Sequence, residues 1–177
     1  MSEPADPIGV ALIVTGALDA LSVAHTIGGS IASSIAGEPR STIDIDIVAA
    51  LEERHVAALV AALSEAFYVD EQALLRAARD KSTANLIHHG TAVKIDLFVA
   101  GGTPLDSQQI ARRLRVEIAG RVLYVHPPED ILLQKLRWYR KGGEVSTASG
   151  ATFWGLFACR ARGWIGTTCT GMHRCST

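Results

Sequence analysis

The chain has 177 residues, with 17 Lys and Arg against 18 Asp and Glu, for a net charge of −1. That length suits one domain with a sizeable core, and near-neutrality excludes a broad nucleic-acid footprint, so any nucleotide contact must be local. The 3 cysteines all fall between positions 159 and 175, which excludes a disulfide framework spread through the fold.

From about Pro7 to His25 the sequence is apolar on most helical faces and predicts a buried helix. The run from Ile8 to Ala24 raises the question of a membrane span. Asp19 interrupts it, however, and Glu3 and Asp6 stand where a leader would carry positive charge. A cytoplasmic protein with no membrane contact is the expectation. Gly28 and Gly29 break the helix, and the small residues from Ser30 to Ala36 could form a short second one before the turn at Gly37–Pro39.

"STIDIDIVAAL" then alternates as a strand. Val56, Leu59, Val60 and Leu63 recur at helical spacing within Glu52–Ala66, "AFYVD" is a brief strand, and Glu71 to Arg79 is a helix. "ANLIHHGTAVKIDLFVAGG" predicts a hairpin turning at Gly90, "TPLDSQQIARRL" a helix, and "RVEIAGRVLYVH" a second hairpin near Gly120. "PPEDILLQKLRWYRKGGE" opens a helix, with proline and acidic residues in the first turn. Strands and helices interspersed in this way give an α/β (α+β) fold, a mixed sheet covered by helices.

The chemistry lies in the strands. Side chains two apart on a strand share a face, so Thr42, Asp44 and Asp46 point one way while Ile43, Ile45 and Ile47 point the other. Lys94 and Asp96 likewise oppose Val93, Ile95 and Leu97. If the two strands are neighbours, three carboxylates converge on one sheet face. Like charges so close raise one another's pKa unless a cation sits among them, and Mg²⁺ prefers such oxygen donors. An isolated D-x-D is ordinarily just the solvated side of an edge strand. Here "GGS" precedes it: glycines let backbone N–H groups approach a phosphate, and Ser30 adds a hydroxyl.

"GGSIASSIAGEPRSTIDIDIV", "VKIDLFV" and "PPEDILLQKLRWYR" together resemble the nucleotidyltransferase superfamily with the DNA-polymerase-β-type fold. Within it the likeness is to AbiEii-type toxins and related small bacterial nucleotidyltransferases, and it runs from about residue 8 to residue 145. The resemblance implies transfer of a nucleoside monophosphate from an NTP to an acceptor hydroxyl. It implies Mg²⁺ on Asp44, Asp46 and Asp96, with Asp96 also poised to take the acceptor's proton. Gly28, Gly29 and Ser30 would hold the triphosphate, assisted by cations among Arg40, Lys94 and Lys135. Lys94 could instead be a structural partner of Asp96, and Arg40 a surface residue paired with Glu38 or Glu129. Thr42 braces its strand, and His88, His89 and His126 read as structural or solvated. The acceptor stays open among tRNA, protein and small molecule, and an antitoxin is a possible partner. A rival reading is a catalytically inactive nucleotide-binding or protein-interaction remnant.

The rival arises from the tail. Residues 1–145 read as the nucleotidyltransferase domain. Residues 146–177 differ in composition, holding all 3 cysteines, Met172, Trp154 and Trp164. Cys159, Cys169, His173 and Cys175 lack the paired spacing of a zinc site. Shifted by one base, codons for "TASGAT" permit "DRQWRD", which rejoins the family pattern. The sequence thus predicts a frame change near Thr147, in the gene or in the sequence read from it, and a poorly ordered segment beyond Ser146.

Overall fold

The computed structural model describes residues 7–28, 44–101, 103–118, 120–131 and 133. Its elements in chain order are α1 (Pro7–Ala20), β1 (His25–Ile27), β2 (Asp44–Ala49), α2 (Glu53–Leu63), β3 (Phe67–Val69), α3 (Glu71–Asp80), β4 (Thr83–His88), β5 (Lys94–Val99), α4 (Pro104–Ala111), β6 (Leu114–Ile118) and β7 (Arg121–Val125). The strands form one sheet in the order β3-β4-β5-β2-β1-β7-β6. The β2–β5 and β1–β7 pairs are parallel and the others antiparallel. A parallel neighbour demands a crossover, and the chain between β2 and β5 supplies it through α2, β3, α3 and β4. The mixed, helix-covered sheet is the expected architecture.

Alternation decides which face is covered. Ile45, Ile47, Leu86, Ile95 and Leu97 are fully buried and pack in one cluster with Val10, Val14 and Leu18 of α1, Val56, Leu59 and Leu63 of α2, and Leu74 of α3. Burying each such side chain stabilises by about 1.5–3 kcal/mol. On the opposite face, among the described residues, Ile110 of α4 packs over Val48 and Ala100, with Phe98 and Ala24 against them. The N-terminal halves of β2 and β5, where the aspartates lie, fall outside that patch.

The helix expected to reach His25 stops at Ala20. Ser22 takes a left-handed conformation (φ 56°). Its N–H donates to Asp19 O at 2.9 Å and that of Val23 to Leu18 O at 2.9 Å, the paired bonds that end a helix and reverse the chain. The usual glycine is absent, and the three-residue strand β1 that follows is too short to show a period. Two other helices are capped by side chains: Asp70 accepts from Ala73 N–H at 3.0 Å, and Asp106 accepts from Thr103 N–H at 2.8 Å. In the β4–β5 hairpin the left-handed residue is Ala92 (φ 55°) rather than Gly90; in the β6–β7 turn it is Gly120 (φ 74°).

Helix resumes at residues 128–131, with Ile131 N–H donating to Pro127 O at 3.1 Å. Asp130 in this first turn is buried and lies 3.3 Å from Arg112, just past α4. Burial pushes its carboxyl above the ordinary value, and the Arg112 charge only partly offsets this. The pair ties the start of the last helix to the end of α4.

Candidate nucleotide site on the open sheet face

The parallel register places Asp46 directly beside Asp96, and Asp44 beside Lys94. Paired residues on neighbouring strands present their side chains to the same face, so the condition set by the sequence is met: the aspartate strands are adjacent, and their polar residues lie together. On the far side of β2, Gly28 N–H donates to Asp46 O at 2.9 Å. On the far side of β5, Asn85 stands opposite Asp96. One row therefore crosses three strands, Asn85–Asp96–Asp46, and ends on Gly28, the residue just after β1.

Gly28 is narrowed in role by that bond. Its N–H is committed to the Asp46 carbonyl. Gly29, Ser30 and Arg40 lie outside the described residues, as do Thr42 and Lys135.

Lys94 is engaged on the site itself. Its ammonium lies 3.0 Å from Asp96 Oδ2, with the lysine side chain 38% and the aspartate 19% exposed. The hydrogen bond to Asp96 and that carboxylate's charge hold Lys94 above its ordinary pKa, and Asp44 and Asp46 push in the same direction. The alternative of Lys94 as partner to Asp96 is the arrangement observed.

The donor chemistry fits a hard divalent ion, since two carboxylates in adjacent register offer oxygen ligands. Among the described residues no three His, Cys, Asp or Glu side chains gather as a metal-holding group. Mg²⁺ in phosphate-handling sites commonly takes only one or two carboxylates and completes its shell with water and substrate phosphates, a donor count that the pair Asp46 and Asp96 matches.

Asn85 was not singled out by the sequence reading, although the signal is there: Ala84 and Leu86 are buried and Asn85 between them is exposed, the alternation of a half-covered strand. His88 Nδ1 is 2.9 Å from Thr91 Oγ1, His89 is exposed, and His126 is buried with its backbone N–H donating to Ile27 O.

The fold is similar to that of solved nucleotidyltransferases. An antigenic nucleotidyltransferase-like protein from Paracoccidioides brasiliensis is similar at 21% identity and TM-score 0.58, over 86% of this chain and 75% of that one. The lincosamide antibiotic adenylyltransferase LnuA, bound to lincomycin, is similar at 11% identity and TM-score 0.58, over 89% of this chain and 99% of its own. The antibiotic-resistance factor ANT(2'')-Ia is 18% identical with TM-score 0.55, over 89% and 92%. At these identities the likeness is one of fold. No family model matches the chain, and no curated protein matches its sequence. Among the described residues no helix is long and apolar enough to cross a membrane.

Proposed function

We propose that the chain is a Mg²⁺-dependent nucleotidyltransferase that moves a nucleoside monophosphate from an NTP, ATP foremost, to an acceptor hydroxyl. The observation that supports this most is the row Asp96–Asp46–Gly28, two carboxylates and a glycine turn side by side on a sheet face that α4 leaves open. The acceptor oxygen bonds to the α-phosphorus, the bond from that phosphorus to the bridging oxygen breaks, and pyrophosphate leaves with the electron pair. Asp96 takes the acceptor's proton. Asp46 and Asp96 would hold the metal together, with Asp44 on the same face adding its charge, and Gly29 and Ser30, with Arg40 and Lys135, would hold the triphosphate. A bound Mg²⁺ supplies charge neutralisation for the attacking and leaving oxygens. The remaining work is positioning, which suits a reaction with little covalent chemistry for the protein to perform.

The acceptor is the least constrained part. LnuA is by name a lincosamide antibiotic adenylyltransferase and ANT(2'')-Ia an antibiotic-resistance factor, which favours a small-molecule acceptor. The AbiEii likeness favours a toxin acting on tRNA or protein in the cytoplasm, held in check by an antitoxin. The test is incubation with each of four α-labelled NTPs, Mg²⁺ and total cell extract. Label should pass to one class of acceptor, and Asp44→Ala should abolish the transfer. Absence of transfer with intact NTP binding would favour the inactive-remnant reading, to which the altered composition beyond residue 145 also points. Resequencing the coding DNA at the Ser146 codon separates a frame change from a true tail: an intact frame across many reads rejects the shift.

A further inference from the structure

We propose that Lys94 is a displaceable counterion, an ammonium that holds Asp96 while the site is free of metal and gives it up when a divalent ion arrives with nucleotide. The inference rests on the metal-dependent reading above and adds a residue that reading does not need. Lys94 lies 3.0 Å from Asp96 Oδ2, an oxygen of the carboxylate that a metal would use, and it stands beside Asp44 in the register that puts Asp96 beside Asp46. It therefore occupies the corner of the face toward which all three carboxylates draw positive charge.

Two features make the ammonium removable. The pair is solvent-accessible on the lysine side, and accessible ion pairs hold weakly, so a doubly charged ion with two carboxylates and phosphate oxygens outcompetes it. The lysine also has somewhere to go. Its cross-strand neighbour on β4 is Ile87, which is 40% exposed and offers an apolar surface for the lysine stem while the ammonium swings outward. From there it remains on the open face, available to the oxygens of an incoming triphosphate.

The test titrates Mn²⁺ into the full chain without nucleotide, reading free Mn²⁺ by its paramagnetic resonance. Lys94→Met keeps the stem and removes the competing charge, and should tighten Mn²⁺ binding roughly two- to fivefold, the range expected for breaking an accessible ion pair. Lys81→Met, at a lysine that contacts the Leu51 carbonyl on another part of the fold, should change nothing and so controls for net charge. With nucleotide present the sign should reverse: Lys94→Met should weaken Mn²⁺–NTP binding, because the released ammonium is no longer there for the phosphates. Mn²⁺ binding that is unchanged or weaker in Lys94→Met, while Asp96→Asn abolishes it, would overturn the counterion role and leave the metal site standing. No Mn²⁺ binding by the unaltered, folded chain, with or without nucleotide, would overturn both.

Discussion

The two faces of the central strands are built from alternate residues of the same short stretches, yet they do opposite things. Ile45 and Ile47 of β2, and Ile95 and Leu97 of β5, turn toward α1, α2 and α3 and are sealed from water. Asp44, Asp46, Lys94 and Asp96 turn to the face that α4 covers only at its far end. The buried set fixes the register, because a slip of one residue would drive the aspartates into the core and the isoleucines into solvent. Register in turn puts Asp46 beside Asp96. Packing on one side thus positions carboxylates on the other, and the proposed site would take its precision from the hydrophobic core on the opposite face.

Substitutions should separate the faces. Asp46→Asn should remove nucleotidyl transfer with little loss of stability. Its effect should exceed the roughly 10–100-fold that loss of a mere supporting partner of a metal ligand costs, read as initial transfer rates beside a denaturant titration. On the sealed face, Ile47→Ala should destabilise by about 2–5 kcal/mol through lost burial and the cavity left behind, and should lower activity only as far as it unfolds the protein. Asp70→Ala, which removes the cap of α3, should cost about 0.5–2 kcal/mol in the same titration and leave the open face unchanged.

His25 sharpens the comparison through pH. Its ring is buried, with Nδ1–H donating to Val23 O at 3.1 Å. Burial lowers its pKa, and Arg113 adds to this, while the Val23 bond and Asp19 at 3.7 Å oppose it. The unfolded chain therefore takes up the proton first. Stability contributed by the neutral ring is intact above an unfolded-state pKa of about 6.5 and declines as pH falls from there toward the lowered folded value. Urea melts at successive pH values should show that slope, and His25→Gln should flatten it. The smallest effect belongs to Arg79→Ala. The Arg79–Glu53 pair, 2.9 Å apart and exposed on both sides, should leave both stability and activity within error of the parent.

Much of this was legible because the alternation in "TIDIDIVA" and "VKIDLFV" is strong. It assigns each residue to a face before any neighbour is known. What it could not provide was adjacency: that β2 and β5 are parallel neighbours follows from the crossover through α2, β3, α3 and β4, a property of the assembled sheet. β1 was missed because three residues carry no period, and because Ser22, not a glycine, ends α1. Asn85 was missed because a lone asparagine in a hairpin strand looks like ordinary solvation until Asp96 is found opposite it. The Lys94–Asp96 pair was visible as an i, i+2 spacing, but whether the lysine served the carboxylate or the phosphate needed the distance.

The central claim is that Asp46 and Asp96 serve one bound ion rather than two separate functions. A double-mutant cycle on Mn²⁺ affinity in the presence of a non-hydrolysable NTP analogue tests it most directly. If the ion is shared, Asp46→Asn and Asp96→Asn should each remove most of the affinity, and the double variant should lose little more than either alone. Losses that simply add, or an Asp96→Asn variant that binds as the parent does, would contradict it.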